Sequence, residues 1–396
     1  MRWWIIALLF VATTINYLDR GILGVLLPEI QKELNFSQAA YGEITFWFQF
    51  AYGIGALFGA RLLNTYGTRV GFGLAAGFWS TAGMLTALAT TPLHFGALRL
   101  ALGLGESPNF PAINKALAEW FPANQKALAM GFVNSGVNFA SVIGPPLFIW
   151  IAASWSWQAC FAVMGALGFL WLPLWLLTTP KSTPSLPSND HTGADFRSVL
   201  RQNKGWGYIW GKFLTDPVWW FYLFWLPTYL TTERGLTPTQ RGYTLSIIYA
   251  VSGVGGLAGG AASSYLIGRG WPVGKARKTV MLICAAIMPF SAFGMVVENT
   301  TLAIALFAVA MAAHQAWSTT LLTTPSDVFP ARTTATANAC GVFSGSMSGA
   351  LFSGLIPGYL LGPIGYAPIL MTMSCFYLVA WVVFRKCMGD FEVVEG

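Results

Sequence analysis

Four charged residues interrupt segments that are otherwise apolar. Asp19 and Arg20 are adjacent in an apolar run near the N-terminus, and Arg99 and Glu106 lie seven residues apart in a later run. If these runs cross a bilayer, each charge costs at least ~2.5–3.5 kcal/mol on insertion scales, which indicates a function by default. A guanidinium can bind a carboxylate through two parallel hydrogen bonds. A buried carboxyl group can carry a proton.

The spacing of these four residues predicts their roles. Adjacent residues of a helix point about 100° apart, so Asp19 and Arg20 address different partners. Arg99 and Glu106 share one helical face, two turns apart. We predict an anion anchor at Arg20, a proton site at Asp19, and a proton-coupled switch at Glu106, which pairs with Arg99 or with the first helix when charged. The alternative is a permanent network of structural ion pairs.

Two further polar pairs lie in later apolar runs. Lys212 and Asp216 have the i,i+4 spacing that allows pairing, and Pro217 is predicted to break the helix directly after them. Structural pairing is the stronger reading, with a direct role for Asp216 as the alternative. His314 and Gln315 fall in the middle of another run, where a hydrogen-bonded structural histidine competes with a contact to substrate or proton.

Other polar and aromatic side chains in the apolar runs could complete a site for a sugar-like ligand, with interhelical packing as the alternative for each and as the stronger reading for the Trp219–Trp220 pair. They are Tyr17, Gln49, Tyr52, Asn134, Ser135, Asn138, Trp219, Trp220, Ser344 and Ser346. The chain has three His and five Cys without metal-ligand or C-x-x-C spacing. We therefore predict no metal and no cofactor, and no nucleophile–base constellation typical of a membrane-embedded enzyme.

The composition indicates that membrane-spanning segments position these residues. Of the 396 residues, 55% are hydrophobic and only 9% are charged, and the mean hydropathy is +0.58. A soluble domain carries about 25% charged residues, so a lipid-facing surface is indicated. Twelve runs are long enough to span a bilayer, at roughly 3–28, 40–63, 70–90, 93–118, 126–152, 156–178, 206–231, 240–267, 278–297, 300–322, 334–361 and 366–385.

The distribution of Lys and Arg predicts the orientation in the membrane. Of 22 such residues, sixteen lie in predicted inner loops or ends, three lie in outer loops, and Arg20, Arg99 and Lys212 lie within helices. Both termini are therefore predicted to be cytoplasmic. The same distribution explains the net charge of +7 better than a nucleic-acid partner does. The first run lacks a small-residue cleavage pattern, so we read it as a spanning helix and not as a signal peptide.

The two halves of the chain repeat. Residues 118–123 (AEWFPA) resemble residues 326–331 (SDVFPA), 208 positions later, and Pro28 and Pro227 fall at matching places. A polar stretch rich in Pro and Ser separates the halves. We predict a six-helix bundle over 1–178, a cytoplasmic linker over 179–204 and a second six-helix bundle over 205–396. Duplicated bundles of this kind are typical of transporters with a site near the membrane midplane.

Several motifs resemble the anion:cation symporter branch of the major facilitator superfamily, and most closely its bacterial hexuronate transporters. The motifs are Asn16-Tyr-Leu-Asp-Arg20, Glu106-x-Pro-x-Phe-Pro-Ala-x-Asn-Lys115, Glu119-Trp-Phe-Pro122, Ser156-Trp-Gln158, Gly165-Ala-Leu167, Phe213-Leu-Thr-Asp-Pro217, His314-Gln-Ala316, Ser326-Asp-Val-Phe329 and Ala335-Thr-Ala-Asn338. The pieces in the first and seventh helices are shared with aldonate transporters. The fold implied is an all-α membrane protein of twelve transmembrane helices in two pseudo-symmetric bundles.

The resemblance also implies roles. It assigns the substrate carboxylate to Arg20, the coupling protons to Asp19 and Glu106, and a supporting position to Arg99. It makes Tyr17 and Tyr52 substrate contacts. Four positions depart from the family pattern: Asn64-Thr65 replaces an Asp-Arg pair, Val137 stands where aldonate transporters have Gln, and Ser344 stands where they have Asn.

The expected function is proton-coupled import of a sugar acid, most simply a hexuronate such as galacturonate or glucuronate. An aldonate of the galactonate type or another organic anion is the first alternative, and a proton–drug antiporter is a more distant one. We expect a monomer in the bacterial inner membrane, with the lipid bilayer, protons and a small-molecule acid as its partners.

Overall fold

The computed structural model describes residues 2–180, 196–389 and 391, and the regular structure in this part of the chain is helical. The α-helices are α1 (Arg2–Val25), α2 (Leu27–Leu34), α3 (Gln38–Leu85), α4 (Pro92–Glu106), α5 (Asn109–Trp120), α6 (Ala123–Ser154), α7 (Trp157–Thr178), α8 (Phe196–Leu200), α9 (Asn203–Thr232), α10 (Pro238–Gly268), α11 (Val273–Ile287), α12 (Phe293–Val296), α13 (Thr300–Val328), α14 (Ala331–Gly349), α15 (Ile356–Ile364) and α16 (Tyr366–Met388).

The helices account for the twelve predicted spans once their interruptions are considered. α3 contains two spans that meet at Gly67, whose φ of 77° is left-handed and favours glycine. α4 and α5 form one span that is broken at Ser107-Pro108. A 3₁₀ turn joins α11 to α12, and a π-helical segment joins α14 to α15. Within the described residues, nine helical stretches are long and apolar enough to cross a membrane.

Proline has less effect than its position in the sequence suggests. The predicted break after Asp216 is wrong, because α9 continues through both Pro217 and Pro227. α6 likewise continues through Pro145 and Pro146. Hydrocarbon offers a freed carbonyl no competing water, so neighbouring groups satisfy it and the helix persists.

The duplicated sequence motifs begin matching helices. Ser37 caps α3 by accepting the backbone N–H of Ala40 at 3.1 Å. Before α10, Thr237 accepts the N–H of Gln240 at 3.3 Å, and the Gln240 side chain accepts the Thr237 N–H at 3.0 Å. This reciprocal pair is a capping box. Residues 35–38 (NFSQ) at the start of α3 resemble residues 235–240 (GLTPTQ) at the start of α10, and both stretches therefore act as helix start signals.

The described chain divides into two compact units. Unit 1 holds the described residues of Met1–Ser188 together with Leu223–Ser246, and unit 2 holds those of Asn189–Tyr222 and Ile247–Gly396. Residues 223–246, which the sequence assigns to the second bundle, thus pack in unit 1, where Tyr41 donates to the Phe224 carbonyl at 3.0 Å. Most of the predicted linker, residues 181–195, lies outside the described residues.

The residues at the far end of α9 and the start of α10 are anchored in unit 1 by charge. The Arg241 side chain is fully buried, and its guanidinium contacts Glu29 Oε1 at 2.6 Å and Thr231 Oγ1 at 2.8 Å. Arg234 donates to the Tyr229 hydroxyl at 2.8 Å. Arg234 and Arg241, two of the three cations predicted for outer loops, therefore make hydrogen bonds within unit 1.

The surface is apolar, whereas several charges are buried. Three leucines are largely exposed: Leu93 at 79%, Leu177 at 80% and Leu257 at 76%. The charged residues Arg20 and Glu106 are only 2% and 0% exposed. Soluble proteins show the opposite arrangement, because unpaired charges there remain in water. The chain is accordingly a multi-pass membrane protein.

Close packing between α3 and α4 generates a stability prediction. A Cβ atom at Gly103 would collide with the carbonyl oxygen of Phe48 and approach the Ala51 side chain at 3.2 Å. We expect Gly103→Ala to lower the thermal unfolding temperature of the detergent-solubilised protein, because two helix backbones must separate. Gly131→Ala in α6 is the matched control, since nothing lies within 4 Å of its Cβ position. Equal unfolding temperatures for the two variants would contradict the prediction.

Candidate functional site

Arg20 in α1 is held by two polar side chains inside unit 1. Its Nε donates to Glu106 Oε2 in α4 at 2.6 Å, and its Nη2 donates to Asn16 Oδ1 at 2.8 Å. Asn16 lies one helical turn before Arg20, so α1 presents both side chains on one face. The ion pair is fully desolvated, with the two side chains 3% and 0% exposed.

Aromatic rings enclose the same guanidinium. The Arg20 Cζ lies 4.5 Å from the ring centroids of both Tyr17 and Tyr52, and 5.8 Å from that of Phe48. A desolvated cation over an aromatic face gains about 2 kcal/mol or more. Tyr52 is buried whereas Tyr17 is half-buried, so Tyr17 forms the accessible edge of the cluster. The predicted substrate residues Arg20, Tyr17 and Tyr52 are thus brought together.

Arg99 and Asp19 form a second, incompletely paired contact. Arg99 Nη1 donates to the backbone carbonyl of Asp19 at 3.3 Å, and its Cζ lies 5.8 Å from the Phe161 ring. Arg99 Nε and Nη2, Asp19 Oδ2 and Glu106 Oε1 are buried and have no hydrogen-bond partner in the described part of the chain. The sequence allowed Glu106 to pair with Arg99 or with the first helix, and in the structure it pairs with Arg20 of the first helix. Arg99 makes no ion pair within the described residues.

The remaining predicted residues of unit 1 lie in two different environments. Gln49 is fully buried, and its amide lies 3.5 Å from the Thr45 carbonyl. Asn134 and Asn138 are exposed on one face of α6. Val142 follows Asn138 by one helical turn on the same face of α6, and its carbonyl accepts a hydrogen bond from the Ser246 hydroxyl at 2.6 Å. Asn134 and Asn138 are therefore the exposed part of a face of α6 that contacts α10 at Val142.

In unit 2, α9 carries the predicted Lys212–Asp216 ion pair. The two charged groups are 2.6 Å apart, with side chains 10% and 16% exposed. A Cβ atom at Gly345 in α14 would collide with the Asp216 carboxylate. Glycine at this position is what allows a charged pair to pack against α14.

The side chains of His314 and Gln315 point in different directions, as those of adjacent residues in a helix do. His314 Nδ1 is hydrogen-bonded to the hydroxyl of Tyr377 in α16, and that hydroxyl donates to the Thr215 carbonyl at 3.2 Å. The imidazole also stacks on Trp219, with ring centroids 5.6 Å apart and an interplanar angle of 18°. Gln315 is half-buried beside Gly256 of α10.

Two other predicted residues of unit 2 are buried. Ser344 donates to the Ile209 carbonyl at 3.0 Å, and Trp220 is 8% exposed. Sequence reasoning missed Asn16 and Tyr377 as partners of the central groups. Asn16 stands four residues before Arg20, a spacing that could have identified it. Tyr377 lies 63 residues from His314, and no local pattern connects the two.

One departure from the family pattern has a structural counterpart. Asn64, where an acidic residue was expected, accepts Lys115 Nζ at 2.8 Å, and the same ammonium group contacts the Leu63 carbonyl at 2.9 Å. Across the following kink, Thr68 donates to Glu119 at 2.8 Å. Contacts between α3 and α5 therefore persist without the Asp-Arg pair.

An all-helical chain with an apolar exterior and buried ion pairs is a polytopic membrane protein, and the family comparison gives its class. The profile of the Major Facilitator Superfamily matches residues 9–353, and the chain belongs to that family. It has the twelve-helix, two-bundle fold predicted from the sequence. The chain is a transporter and not an enzyme.

Similar proteins extend over almost the full length. The chain is 29% identical to the hexuronate transporter of Escherichia coli (strain K12), covering 100% of this chain and 96% of that protein. It is 27% identical to the probable galactarate/D-glucarate transporter GarP of the same strain, with the same two coverages of 100% and 96%. A bacterial homolog of the human lysosomal transporter Spinster has a TM-score of 0.78 at 18% identity, covering 98% of this chain and 97% of that one. This last likeness concerns the fold alone.

The buried Arg20–Glu106 pair generates a second prediction. Glu106→Ala removes the only ion-pair partner that Arg20 has among the described residues, and an uncompensated buried charge costs about 3–5 kcal/mol. We expect a large fall in thermal unfolding temperature. Asp327→Ala is the comparison, because its partner Arg277 is 14% exposed and also contacts Ser263 at 3.2 Å.

The Asp327→Ala variant should lose clearly less stability than Glu106→Ala, because water reaches Arg277. Glu106→Gln should fall between wild type and Glu106→Ala, since the amide oxygen still accepts one hydrogen bond from Arg20. A Glu106→Ala protein as stable as wild type would show that the pair contributes nothing to the fold.

Proposed function

We propose that the protein is a proton-coupled symporter that imports a sugar acid, with a hexuronate such as galacturonate or glucuronate as its substrate. The resemblance of the motifs to hexuronate transporters supports this substrate, and so does the full-length similarity to one such protein. An aldonate is the alternative, because the motifs of the first and seventh helices are shared with aldonate transporters.

The contact between Arg20 Nε and Glu106 Oε2 carries the proposal. A substrate carboxylate needs the guanidinium that Glu106 already occupies at 2.6 Å. The two carboxylates therefore compete for one cation, unless Glu106 takes up a proton. Protonation weakens the contact with Glu106 and frees Arg20 to bind the substrate through charge-assisted hydrogen bonds. Tyr17 and Tyr52 already lie against the guanidinium and would contact the bound acid.

Charge accounting explains why the proton accompanies the substrate. The empty pair of Arg20 and Glu106 has no net charge. Adding a carboxylate alone would leave one uncompensated negative charge in a buried environment, which is costly. Adding a carboxylate and one proton restores neutrality. Asp19 and Arg99 provide a second acid and cation beside this pair, and we assign Asp19 the second proton site and Arg99 a supporting role.

A proton–drug antiporter on the same scaffold fits these observations less well. Such a protein needs a roomy apolar cavity and no obligatory arginine. Here an arginine is held by an acid, an amide and two tyrosines in the interior of unit 1. We further propose that the protein lies in the bacterial inner membrane as a monomer with both termini cytoplasmic, as the excess of cations in the predicted inner loops indicates.

Substitution of the anion anchor tests the substrate class. Arg20→Lys keeps the charge but loses the fork geometry that binds carboxylates bidentately. We expect uptake of galacturonate or glucuronate into proteoliposomes to fall at least about tenfold, which corresponds to the loss of about 1.4 kcal/mol of binding. Arg61→Lys, at an exposed arginine, is the control and should transport normally. Normal hexuronate uptake by both variants would argue against Arg20 as the anchor.

A second experiment separates coupling from binding. Glu106→Gln mimics the protonated carboxyl group, so a pH gradient can no longer drive its switch. We expect this variant to lose accumulation of hexuronate driven by a pH gradient but to keep exchange of internal for external hexuronate. Accumulation equal to that of wild type would exclude Glu106 as a coupling group.

A further inference from the structure

The sequence repeat relates the charged site of unit 1 to a cluster in unit 2. The shared Phe-Pro motif places Pro122 opposite Pro330, an offset of 208, and the same offset carries Glu106 to His314. Near the end of the first predicted span of each half (3–28 and 206–231), Pro28 matches Pro227, an offset of 199, which carries Arg20 to Trp219. His314 and Trp219 therefore occupy the repeat positions of Glu106 and Arg20.

A third position follows from the helix caps. Ser37 and Thr237 cap matching helices, an offset of 200, and this offset carries Gln49 to Tyr249. In unit 2 the three residues form one cluster: Trp219 stacks on His314, and its ring centroid lies 6.1 Å from that of Tyr249. The repeat positions of Arg20 and Glu106 thus meet in both units. The contact is ionic in unit 1 and aromatic in unit 2.

We assign the tautomer of His314 from the hydrogen bonds around the Tyr377 hydroxyl. The carbonyl of Thr215 can only accept, so the single proton of the Tyr377 hydroxyl is donated to it. The Tyr377 oxygen must then accept from His314, which places the imidazole proton on Nδ1. Neutral His314 consequently presents a lone pair at Nε2. This atom makes no hydrogen bond within the part of the chain that the structure describes.

Tyr249 supplies a second unused polar group. It is 4% exposed, and its hydroxyl is buried without a hydrogen-bond partner among the described residues. A buried hydroxyl left unpaired costs about 1–3 kcal/mol. An acceptor nitrogen and an unpaired hydroxyl therefore flank Trp219, which is half-buried.

We propose that Trp219, Tyr249 and His314 form a hydroxyl-recognition site in unit 2, which rests on the proposed function and specifies which part of the sugar acid this unit reads. His314 Nε2 accepts a hydrogen bond from a substrate hydroxyl, and Tyr249 pairs with the same or a neighbouring hydroxyl. A carboxylate is refused there, because its oxygens and Nε2 are both acceptors. The cation nearest along α9, Lys212, is already neutralised by Asp216 at 2.6 Å.

Within this site, Tyr377 is a positioning residue. It does not touch the substrate; it holds the imidazole proton on Nδ1 and so keeps Nε2 available as an acceptor. Trp219 fixes the plane of the imidazole by stacking. The site therefore distinguishes a polyhydroxylated acid from an acid of the same shape without hydroxyls.

Two ligands of the same shape test the inference with full-length protein in detergent. Galacturonate and tetrahydropyran-2-carboxylate share the six-membered ring and the carboxylate, but only the first carries hydroxyls. The measured quantity is the ratio of their dissociation constants by titration calorimetry. We expect Tyr249→Phe and His314→Leu each to weaken galacturonate binding about twofold to tenfold, the range for one net hydrogen bond, with no change for the unhydroxylated acid.

Tyr377→Phe separates positioning from packing. It keeps the ring and removes only the hydroxyl, so we expect the same loss of preference for galacturonate, together with a moderate fall in thermal stability because His314 Nδ1 loses its buried partner. Ser374→Ala is the control, because it removes another buried hydroxyl contact of unit 2, the one with Ser291 at 2.8 Å. It should leave the ratio of the two dissociation constants at the wild-type value.

The outcomes distinguish the two proposals. If wild-type protein neither binds nor transports any sugar acid, the proposed function fails and this inference fails with it. If wild type transports galacturonate and Arg20→Lys abolishes uptake, but the Tyr249, His314 and Tyr377 variants keep the wild-type ratio, only the hydroxyl site is wrong. Equal weakening of both ligands in these variants would likewise overturn the inference, since it would indicate general loss of structure.

Discussion

The contact between one guanidinium and one carboxylate in the interior of unit 1 is the interaction on which the rest of the structure depends. Two charges without water are expensive, and their attraction compensates only when the geometry is good and the remaining donors are satisfied. Arg20 meets this condition through Glu106, Asn16 and two tyrosine rings. Glu106 does not, because its Oε1 has no hydrogen-bond partner among the described residues. The pair is thus stable enough to exist and incomplete enough to exchange partners.

The two units use equivalent positions for different chemistry. Unit 1 places a cation and an acid where unit 2 places Trp219 and His314. An ion pair responds strongly to an added charge or proton, whereas an aromatic stack with a fixed imidazole responds to hydrogen-bond donors. A duplicated scaffold can in this way separate the recognition of charge from the recognition of hydroxyl groups.

Much of the fold could be predicted, because its main determinant is local. A run of about 20 apolar residues must be helical in hydrocarbon, whatever its neighbours are. Cap residues such as Ser37 and Ser156 and the glycine at position 67 mark the ends and kinks in the same local manner. The predicted helix break at Pro217 was wrong for a related reason. A proline usually breaks a helix in water, but in lipid no water is present to hydrogen-bond the backbone groups that a break would expose.

The candidate site was predicted in part. The charged residues could be identified from the sequence, since a charge in an apolar run is visible without any structure. Their partners were not visible in the same way. The sequence left Glu106 to pair with Arg99 on its own helical face or with the first helix, and the structure pairs it with Arg20 of the first helix. Packing, and not spacing, decides which helix opposes a given face. Tyr377 gave no signal, since its role exists only where α13 and α16 meet.

The sequence by itself determined the number of spans, the buried charges and the repeat, because hydrophobicity, helical periodicity and duplication are properties of the chain alone. Only the tertiary structure decided which acid holds Arg20, that His314 and Gln315 face different neighbours, and that residues 223–246 pack in unit 1. These facts depend on distances between residues remote in sequence. Burial, close backbone approach and the competition among several possible partners fix those distances, and no local pattern encodes them.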